Sequence, residues 1–177
     1  MRMRRRRRLT REGPRPRRLR DPRASAHIEA LLREAVITGA LEHPNIVPVH
    51  MLGRDEDGHP VLVMKRIQGQ LWSELLGKAS LDRHLEILKD ICNALHYAHS
   101  RGVVHLDLKT QNVLIGEFGE VSLLDWGIAR RLSDPAPGVM LGTPAYMASE
   151  MVSGEKLTPL TDVYLLGSTL HLSLIHI

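Results

Sequence analysis

The stretch that decides the fold is VVHLDLKTQNVL, residues 103–114, followed thirteen residues after Asn112 by Asp125-Trp126-Gly127. Phosphoryl transfer to a hydroxyl needs a carboxylate that orients the hydroxyl and accepts its proton, a cation on the phosphate, and oxygen ligands for magnesium. Asp107, Lys109 and Asn112 supply these three groups from one loop. A further carboxylate, Asp125, follows a strand-like run and precedes a glycine, which suits a hard oxygen ligand. The spacing therefore predicts a phosphoryl-transfer site.

These residues resemble the HRD-x-K-x-x-N and DFG pair of eukaryotic-like, bacterial-type serine/threonine protein kinases. The resemblance implies that Asp107 is the catalytic base and that Lys109 contacts the transferred phosphate of ATP. It also implies that Asn112 and Asp125 are the ligands of Mg²⁺, so ATP and Mg²⁺ are the expected cofactors. A lysine two positions after the base is typical of serine/threonine kinases, so the expected acceptor is a Ser or Thr of a protein substrate.

A second motif, GTPAYMASE at residues 142–150, resembles the end of a kinase activation segment. The resemblance implies that Thr143 approaches the catalytic carboxylate and helps to position the substrate hydroxyl. It also implies that Glu150 pairs with an arginine beyond the end of the chain. Further on, Asp162 resembles the residue that braces the backbone of the catalytic loop in this family. A carboxylate at a helix N-terminus is an equally good interpretation of Asp162.

Upstream of these motifs, Glu34 lies on a predicted helix that precedes the turn His43-Pro44-Asn45. It resembles the glutamate that pairs with the ATP-binding lysine, and its alternative is a solvated helix carboxylate. Residues 61–67 resemble the strand and hinge that lie beside adenine, or else form an edge strand that leaves the core. In the first interpretation Met64 is the gatekeeper. The backbone groups that then face adenine belong to Lys65, Arg66 and Ile67.

The order of elements predicts an α+β fold. Apolar residues repeat at helical spacing between Ser25 and Gly39, and strand-like runs at 46–52 and 60–64 follow, joined by a polar turn. Ser80 opens a long helix. The apolar residues on its predicted core face are Leu81, Leu85, Leu88, Ile91, Leu95 and Ala98. Short strands at 113–115 and 121–124 and a last helix from about Thr161 complete the pattern. The resemblance implies a protein-kinase-like fold, with a partial small lobe (helix C and the following strands) and the first half of the mainly helical large lobe.

The sequence departs from the family pattern in several places. Leu106 replaces an arginine that usually meets a phosphate on the activation segment, so control by that phosphorylation is not expected. Thr110 and Ser149 replace prolines. Residues 1–24 contain no lysine and no glycine-rich motif, so the phosphate-covering loop and the ATP-binding lysine are missing from their expected place. Because such catalysis consists largely of positioning, we expect the isolated chain to be essentially inactive. We also expect it to be unstable, because an apolar face would be exposed where the remaining helices of a kinase domain pack.

Charge divides the chain into parts. Residues 1–23 hold twelve Arg and two acidic residues, whereas the remainder has a net charge of −6. We expect 1–23 to be an Arg-rich leader, disordered or artefactual, and 24–171 to be a partial kinase domain truncated at both ends. Residues 172–177 are expected to be a non-native tail, because the run LSLIHI matches the translation of a transposon end. The acidic body argues against nucleic-acid binding by the folded part, and an arginine arm that binds nucleic acid is the alternative for the leader.

The composition bounds the cellular setting. No apolar run is long enough to span a bilayer, so no membrane segment is expected in this chain. Cys92 is the only cysteine and lies in an apolar-periodic segment, which predicts a buried, unreactive thiol and a reducing, cytoplasmic setting. Among the histidines, His105 is predicted to pack beneath Trp126. His96 and His99 are predicted to be surface or core-edge residues, and the ten histidines suggest no metal cluster.

Two functions compete at this point. The first is an enzyme that transfers the γ-phosphoryl group of ATP to Ser or Thr of protein substrates. The second is a pseudokinase that keeps the fold as a scaffold. The four intact polar residues of the two loops favour the enzyme, and the missing lysine strand favours the scaffold.

Overall fold

The computed structural model describes residues 22–56 and 58–175. The predicted leader up to residue 21 and the last two residues of the predicted tail lie outside the described residues. The first helix begins at Pro22 and the last helix ends at Ile175, so both predicted domain boundaries fall inside helices. The boundaries at residues 24 and 171 stay predictions.

The described part of the chain consists of helices and short strands. The helices are α1 (Pro22–Gly39), α2 (Trp72–Leu75), α3 (Leu81–Ser100), a 3-10 helix (Thr110–Asn112), α4 (Ser149–Ser153) and α5 (Pro159–Ile175). The strands are β1 (Val49–Arg54), β2 (Pro60–Met64), β3 (Gly69–Leu71), β4 (Val103–Val104), β5 (Val113–Gly116), β6 (Val121–Leu123) and β7 (Arg130–Arg131). Helices mixed with small antiparallel sheets confirm the predicted α+β class.

Strands β1 and β2 form the predicted antiparallel hairpin. The first strand begins at Val49 and not at Ile46, so its predicted start is wrong. The reason is that another sheet holds the preceding residues. The N–H of Leu123 donates to the carbonyl of Asn45 at 2.8 Å, and Ile46 forms a parallel bridge with Leu123. Pairing with β2 therefore begins only after these residues, at Val49.

Two small sheets fix both ends of the catalytic loop, residues 105–109. β5 lies between β3 and β6 in a three-stranded antiparallel sheet, and β4 pairs with β7. The loop leaves β4 and returns through the 3-10 helix into β5. The strands predicted at 113–115 and 121–124 are confirmed as β5 and β6. β3, β4 and β7 are too short for a periodic pattern, so the sequence does not predict them.

Helix α3 begins where Ser80 predicts, with the Ser80 side chain accepting from the N–H of Arg83 at 3.3 Å. Its buried face, however, is rotated from the predicted one, because Leu81 and Leu85 are 53% and 46% exposed. The buried residues of this helix are His84, Ile87, Ile91, Ala94, Leu95 and Ala98. The same rotation leaves Cys92 exposed, so the predicted burial of its thiol is wrong.

The buried histidine of α3 explains the rotation. Nε1 of Trp72, a fully buried residue of α2, donates to Nδ1 of His84 at 2.8 Å. This hydrogen bond lowers the free-energy cost of burying the imidazole. A prediction from apolar residues alone places the histidine on the exposed face. The pair ties α2 to the core side of α3.

The main core surrounds the catalytic loop. Leu106, Trp126 and Ile91 are fully buried there, together with residues of α3, β5 and β6. The hairpin differs, because Met51 and Val63 are 57% and 37% exposed. Among residues 22–56 and 58–175, none of the helices combines the length and apolar character that crossing a bilayer requires.

Candidate active site

Four predicted site residues meet at the carboxylate of Asp107. Thr143 Oγ1 donates to Asp107 Oδ1 at 2.6 Å. Lys109 Nζ and Asn112 Nδ2 donate to Asp107 Oδ2 at 2.7 and 2.9 Å. Lys109 Nζ also donates to Thr143 Oγ1 at 3.0 Å, which closes the cluster. The structure thus brings together the residues that the sequence predicts as catalytic.

These donors keep Asp107 ionised. Burial acts to raise the pKa of Asp107, but hydrogen bonds from Lys109, Thr143 and Asn112, with the charge of Lys109, outweigh it and lower the pKa below its ordinary value. A carboxylate with a lowered pKa accepts hydrogen bonds well at neutral pH and is a weak base. The arrangement is therefore better suited to orienting a hydroxyl than to removing its proton early.

Helix α5 fixes the backbone that leads into Asp107. Asp162, fully buried in the first turn of α5, accepts from the N–H groups of His105 and Leu106, each at 2.9 Å. Its Oδ2 also lies 2.7 Å from Nε2 of His99. Leu106 has a φ of 72°, which is uncommon for a residue with a side chain. These contacts confirm the interpretation that Asp162 braces the loop backbone. A carboxylate that only stabilised the N-terminus of α5 would not need them.

His105 has the predicted structural position. Its ring packs edge-on against Trp126, with ring centroids 4.6 Å apart. Its Nε2 lies 3.0 Å from the carbonyl of Leu124, and its Nδ1 accepts from the N–H of Asp107 at 3.2 Å. Burial lowers the pKa of His105, so the ring is neutral and carries its proton on Nε2. The ring therefore joins the two loops that carry Asp107 and Asp125.

Asp125 faces Glu34 across the cleft between α1 and the strand end. A β-carbon built on Gly127 would lie 3.1 Å from Asp125 Oδ1 and 3.7 Å from Glu34 Oε2, so both carboxylates reach this glycine. Burial and the charge of Asp125 raise the pKa of Glu34. Among the described residues, no Lys or Arg pairs with either carboxylate. Two acidic groups thus face each other without a bridging cation.

A cleft of about 340 Å³ opens beside these two carboxylates. Its lining residues are Glu34, Val47, Met64, Lys65, Ile67, Leu114, Leu124 and Asp125. Most of the predicted nucleotide-binding residues therefore share one cleft. Arg66 does not line it and lies instead on a neighbouring cleft beside Phe118. Val47, Leu114 and Leu124 were not predicted as site residues, because an apolar residue that lines a cleft looks like a core residue in sequence.

Asn112 and Asp125 offer oxygen atoms that suit a magnesium ion. Asn112 Nδ2 donates to the carbonyl and to the carboxylate of Asp107, and no described residue hydrogen bonds to Asn112 Oδ1. The carboxylate of Asp125 belongs to an exposed residue. Two protein oxygens are what Mg²⁺ usually takes when phosphates and water complete its shell. The described residues contain no group of three or more His, Cys, Asp or Glu that would suit another metal.

Gly142 lets the activation segment approach the catalytic loop. Its φ is 117°, and a β-carbon there would lie 2.7 Å from Met151 Cε and 3.3 Å from the carbonyl of Leu106. A side chain at this position would push the following Thr143 away from the cluster. Further along, Glu150 accepts from Thr161 Oγ1 at 2.8 Å. Its predicted arginine partner stays a prediction.

Comparison with known proteins agrees with this geometry. The family model described as "Protein kinase domain" matches residues 17–176. The chain is 32% identical over 176 residues to the serine/threonine-protein kinase PknD of Protochlamydia amoebophila, covering 79% of this chain and 18% of that protein. It is 36% identical over 183 residues to PknD of Chlamydia trachomatis serovar D, covering 81% and 19%. It is 35% identical over 150 residues to PknB of Mycolicibacterium smegmatis, covering 78% and 24%.

The chain spans about a fifth of the length of the curated relatives it matches. The family match extends from before the first described helix to the end of the last one. It therefore applies to both loops of the candidate site.

Proposed function

Because the chain belongs to the protein kinase domain family, we propose that the protein transfers the γ-phosphoryl group of ATP to Ser or Thr side chains of protein substrates. The observation that carries the proposal is the Asp107 carboxylate with three donors at 2.6 to 2.9 Å from Thr143, Lys109 and Asn112. This cluster places a carboxylate, a cation and an amide within one hydrogen-bonded unit. The relatives are named serine/threonine-protein kinases, which supports the choice of acceptor.

The adenine of ATP occupies the cleft between Met64 and Leu124 in this proposal, with the backbone of residues 65–67 at its edge. Val47 and Leu114 supply apolar surface for a flat ring. Glu34 and Asp125 close the end of the cleft to which the phosphates extend. Mg²⁺, when bound by Asn112 Oδ1 and Asp125, supplies positive charge for the phosphate oxygens.

The residues of the loop perform the rest of the proposed reaction. Asp107 orients the acceptor hydroxyl and takes its proton, while Lys109 holds the transferring phosphate. A bond forms between the acceptor oxygen and the γ-phosphorus, the bond from that phosphorus to the bridging oxygen breaks, and ADP leaves. Thr143 holds the Asp107 carboxylate in its orientation. The weak basicity of Asp107 suits a reaction in which proton transfer is late and positioning supplies most of the rate.

The test is transfer of labelled phosphate from ATP to a Ser/Thr protein substrate by the full-length protein, since the isolated chain is expected to be inactive. We expect Asp107→Asn to lower the rate by about 10²- to 10⁴-fold, since general-base groups contribute on this order. The matched control is Asp90→Asn, which makes the same change on α3, away from the cluster. Equal rates for Asp107→Asn and the unchanged protein would show that the assignment of the base is wrong.

One observation favours the scaffold as a second candidate. Glu34 has no cationic partner among the described residues, and its pKa is raised. Two measurements separate the candidates. One is the shift in melting temperature when ATP and Mg²⁺ are added, and the other is phosphate transfer by the same protein. A nucleotide-dependent shift without transfer in the unchanged full-length protein would support the scaffold.

A further inference from the structure

Asp162 is a buried charge that depends on three donors. The residue is fully buried, and its oxygens accept from the backbone N–H groups of His105 and Leu106. The third partner is His99 Nε2, at 2.7 Å from Oδ2. A buried carboxylate is costly unless its lone pairs are used, so each donor matters for the position of the group. A carboxylate oxygen accepts hydrogen bonds, so the ring tautomer of His99 that fits this contact carries its proton on Nε2.

The backbone that Asp162 holds is strained. Leu106 has a φ of 72° and is fully buried, and such a conformation is unfavourable for a residue with a side chain. A strained conformation persists only where its surroundings fix it. Here the two N–H bonds to Asp162 do so, one residue before Asp107. Displacement of the Asp162 carboxylate therefore changes the backbone just before Asp107 and, with it, the orientation of the Asp107 side chain.

His99 brings a third element, α3, into contact with Asp162, which lies on α5 and holds the loop. It lies in the last turn of α3, and its side chain is 15% exposed. Without it, Oδ2 keeps a single backbone donor, and the carboxylate gains freedom to turn about its last torsion angle. We propose that His99 is a positioning residue for phosphoryl transfer, which acts on Asp107 through Asp162 and the strained backbone of Leu106. The inference rests on the proposed function and assigns a role to a residue that the sequence places at the surface.

Three substitutions in the full-length protein separate this role from a general contribution to folding. His99→Leu removes the donor, and His99→Gln offers an amide N–H at a similar reach. The control is His96→Leu, since His96 is an exposed histidine one turn earlier on the same helix. Each variant is measured for kcat and for KM of ATP, and by amide hydrogen exchange of residues 103–108.

We expect His99→Leu to lower kcat roughly ten- to a hundredfold, the effect of a small misplacement of a reacting group, with KM for ATP changed less than threefold. Hydrogen exchange at residues 105 and 106 should rise in the same variant. His99→Gln should recover most of both quantities, and His96→Leu should match the unchanged protein. If His99→Leu does not fold, His99→Asn, whose amide is one methylene shorter, takes its place.

The exchange measurement keeps the inference separate from the proposed function. If the unchanged full-length protein transfers no phosphate, the proposed function fails, while exchange at residues 105 and 106 still reports whether His99 holds the loop. The positioning role is wrong if exchange in His99→Leu equals that of the unchanged protein. It is also wrong if exchange rises while kcat stays the same, or if glutamine gives no recovery.

Discussion

The catalytic loop and the β1–β2 hairpin both carry apolar side chains, but they keep their shapes in different ways. In the loop, Leu106 and Leu108 are 0% and 1% exposed, and the backbone donates to a side chain more than fifty residues away. In the hairpin, Met51 and Val63 are 57% and 37% exposed, and the shape depends on pairing between adjacent strands. A two-stranded hairpin is marginal by itself. The difference teaches that the loop that carries Asp107 is fixed by long-range contacts, whereas β2, which precedes the proposed adenine-facing backbone, is fixed by local strand pairing.

Removing a carboxylate from each region gives the largest expected contrast. Asp162→Ala leaves two backbone N–H groups and His99 buried without an acceptor, so we expect a loss of about 3–5 kcal/mol in the free energy of unfolding. Asp55→Ala removes an exposed hairpin carboxylate that accepts from the N–H of His59 at 2.8 Å, and should cost less than about 1 kcal/mol. Urea denaturation of the two variants measures both values. Similar losses in the two variants would contradict the contrast between the regions.

A matched pair of valines gives the next largest effect. Val121 in β6 is fully buried, whereas Val63 in β2 is 37% exposed. Val121→Ala should lower the free energy of unfolding by about 2–3 kcal/mol, from lost burial of two carbon atoms and the cavity that remains. Val63→Ala should stay within about 0.5–1 kcal/mol. A large loss for Val63→Ala would mean that the hairpin face is covered in solution.

The smallest effect concerns the carboxylate that faces Asp125. The pKa of Glu34 is raised in the folded state, so between its ordinary value of 4.5 and the raised value the folded state binds more protons than the unfolded state. Stability should therefore fall as the pH rises through this window. Glu34→Gln should remove the fall and raise the melting temperature at pH 7 by roughly 1–3 °C, with no gain at pH 4. Glu29→Gln, an exposed change on the same helix, is the control, and an equal gain there would contradict the prediction.

The sequence predicts the catalytic cluster well because its residues are close together in the chain. Asp107, Lys109 and Asn112 lie within six positions, and their order alone suggests their chemistry. Thr143 and Asp162 were identified by resemblance, and their distances to the loop agree with that expectation. The hairpin and the strands β5 and β6 follow from ordinary alternation and turn residues.

Other features depend on partners that a linear pattern does not contain. The burial of His84 follows from Trp72, and the role of His99 follows from Asp162, which is 63 residues away. In sequence both histidines look like polar residues on a helix surface. The predicted face of α3 and the predicted burial of Cys92 were wrong for the same reason, because the apolar pattern omits a hydrogen-bonded histidine. Arg66 lies outside the cleft, since neighbouring residues of an extended segment point in different directions.

The contact between Asp162 and the loop also sets an order in time during synthesis. The N–H of Leu106 and its acceptor are 56 residues apart in the chain. At translation rates of roughly 5–20 residues per second, the loop leaves the ribosome about 3–11 s before its acceptor does. During that interval the sheets at either end of the loop are able to pair, while the strained backbone has nothing to hold it. The loop that carries Asp107 therefore reaches its native backbone conformation only when the beginning of α5 emerges, 56 residues later.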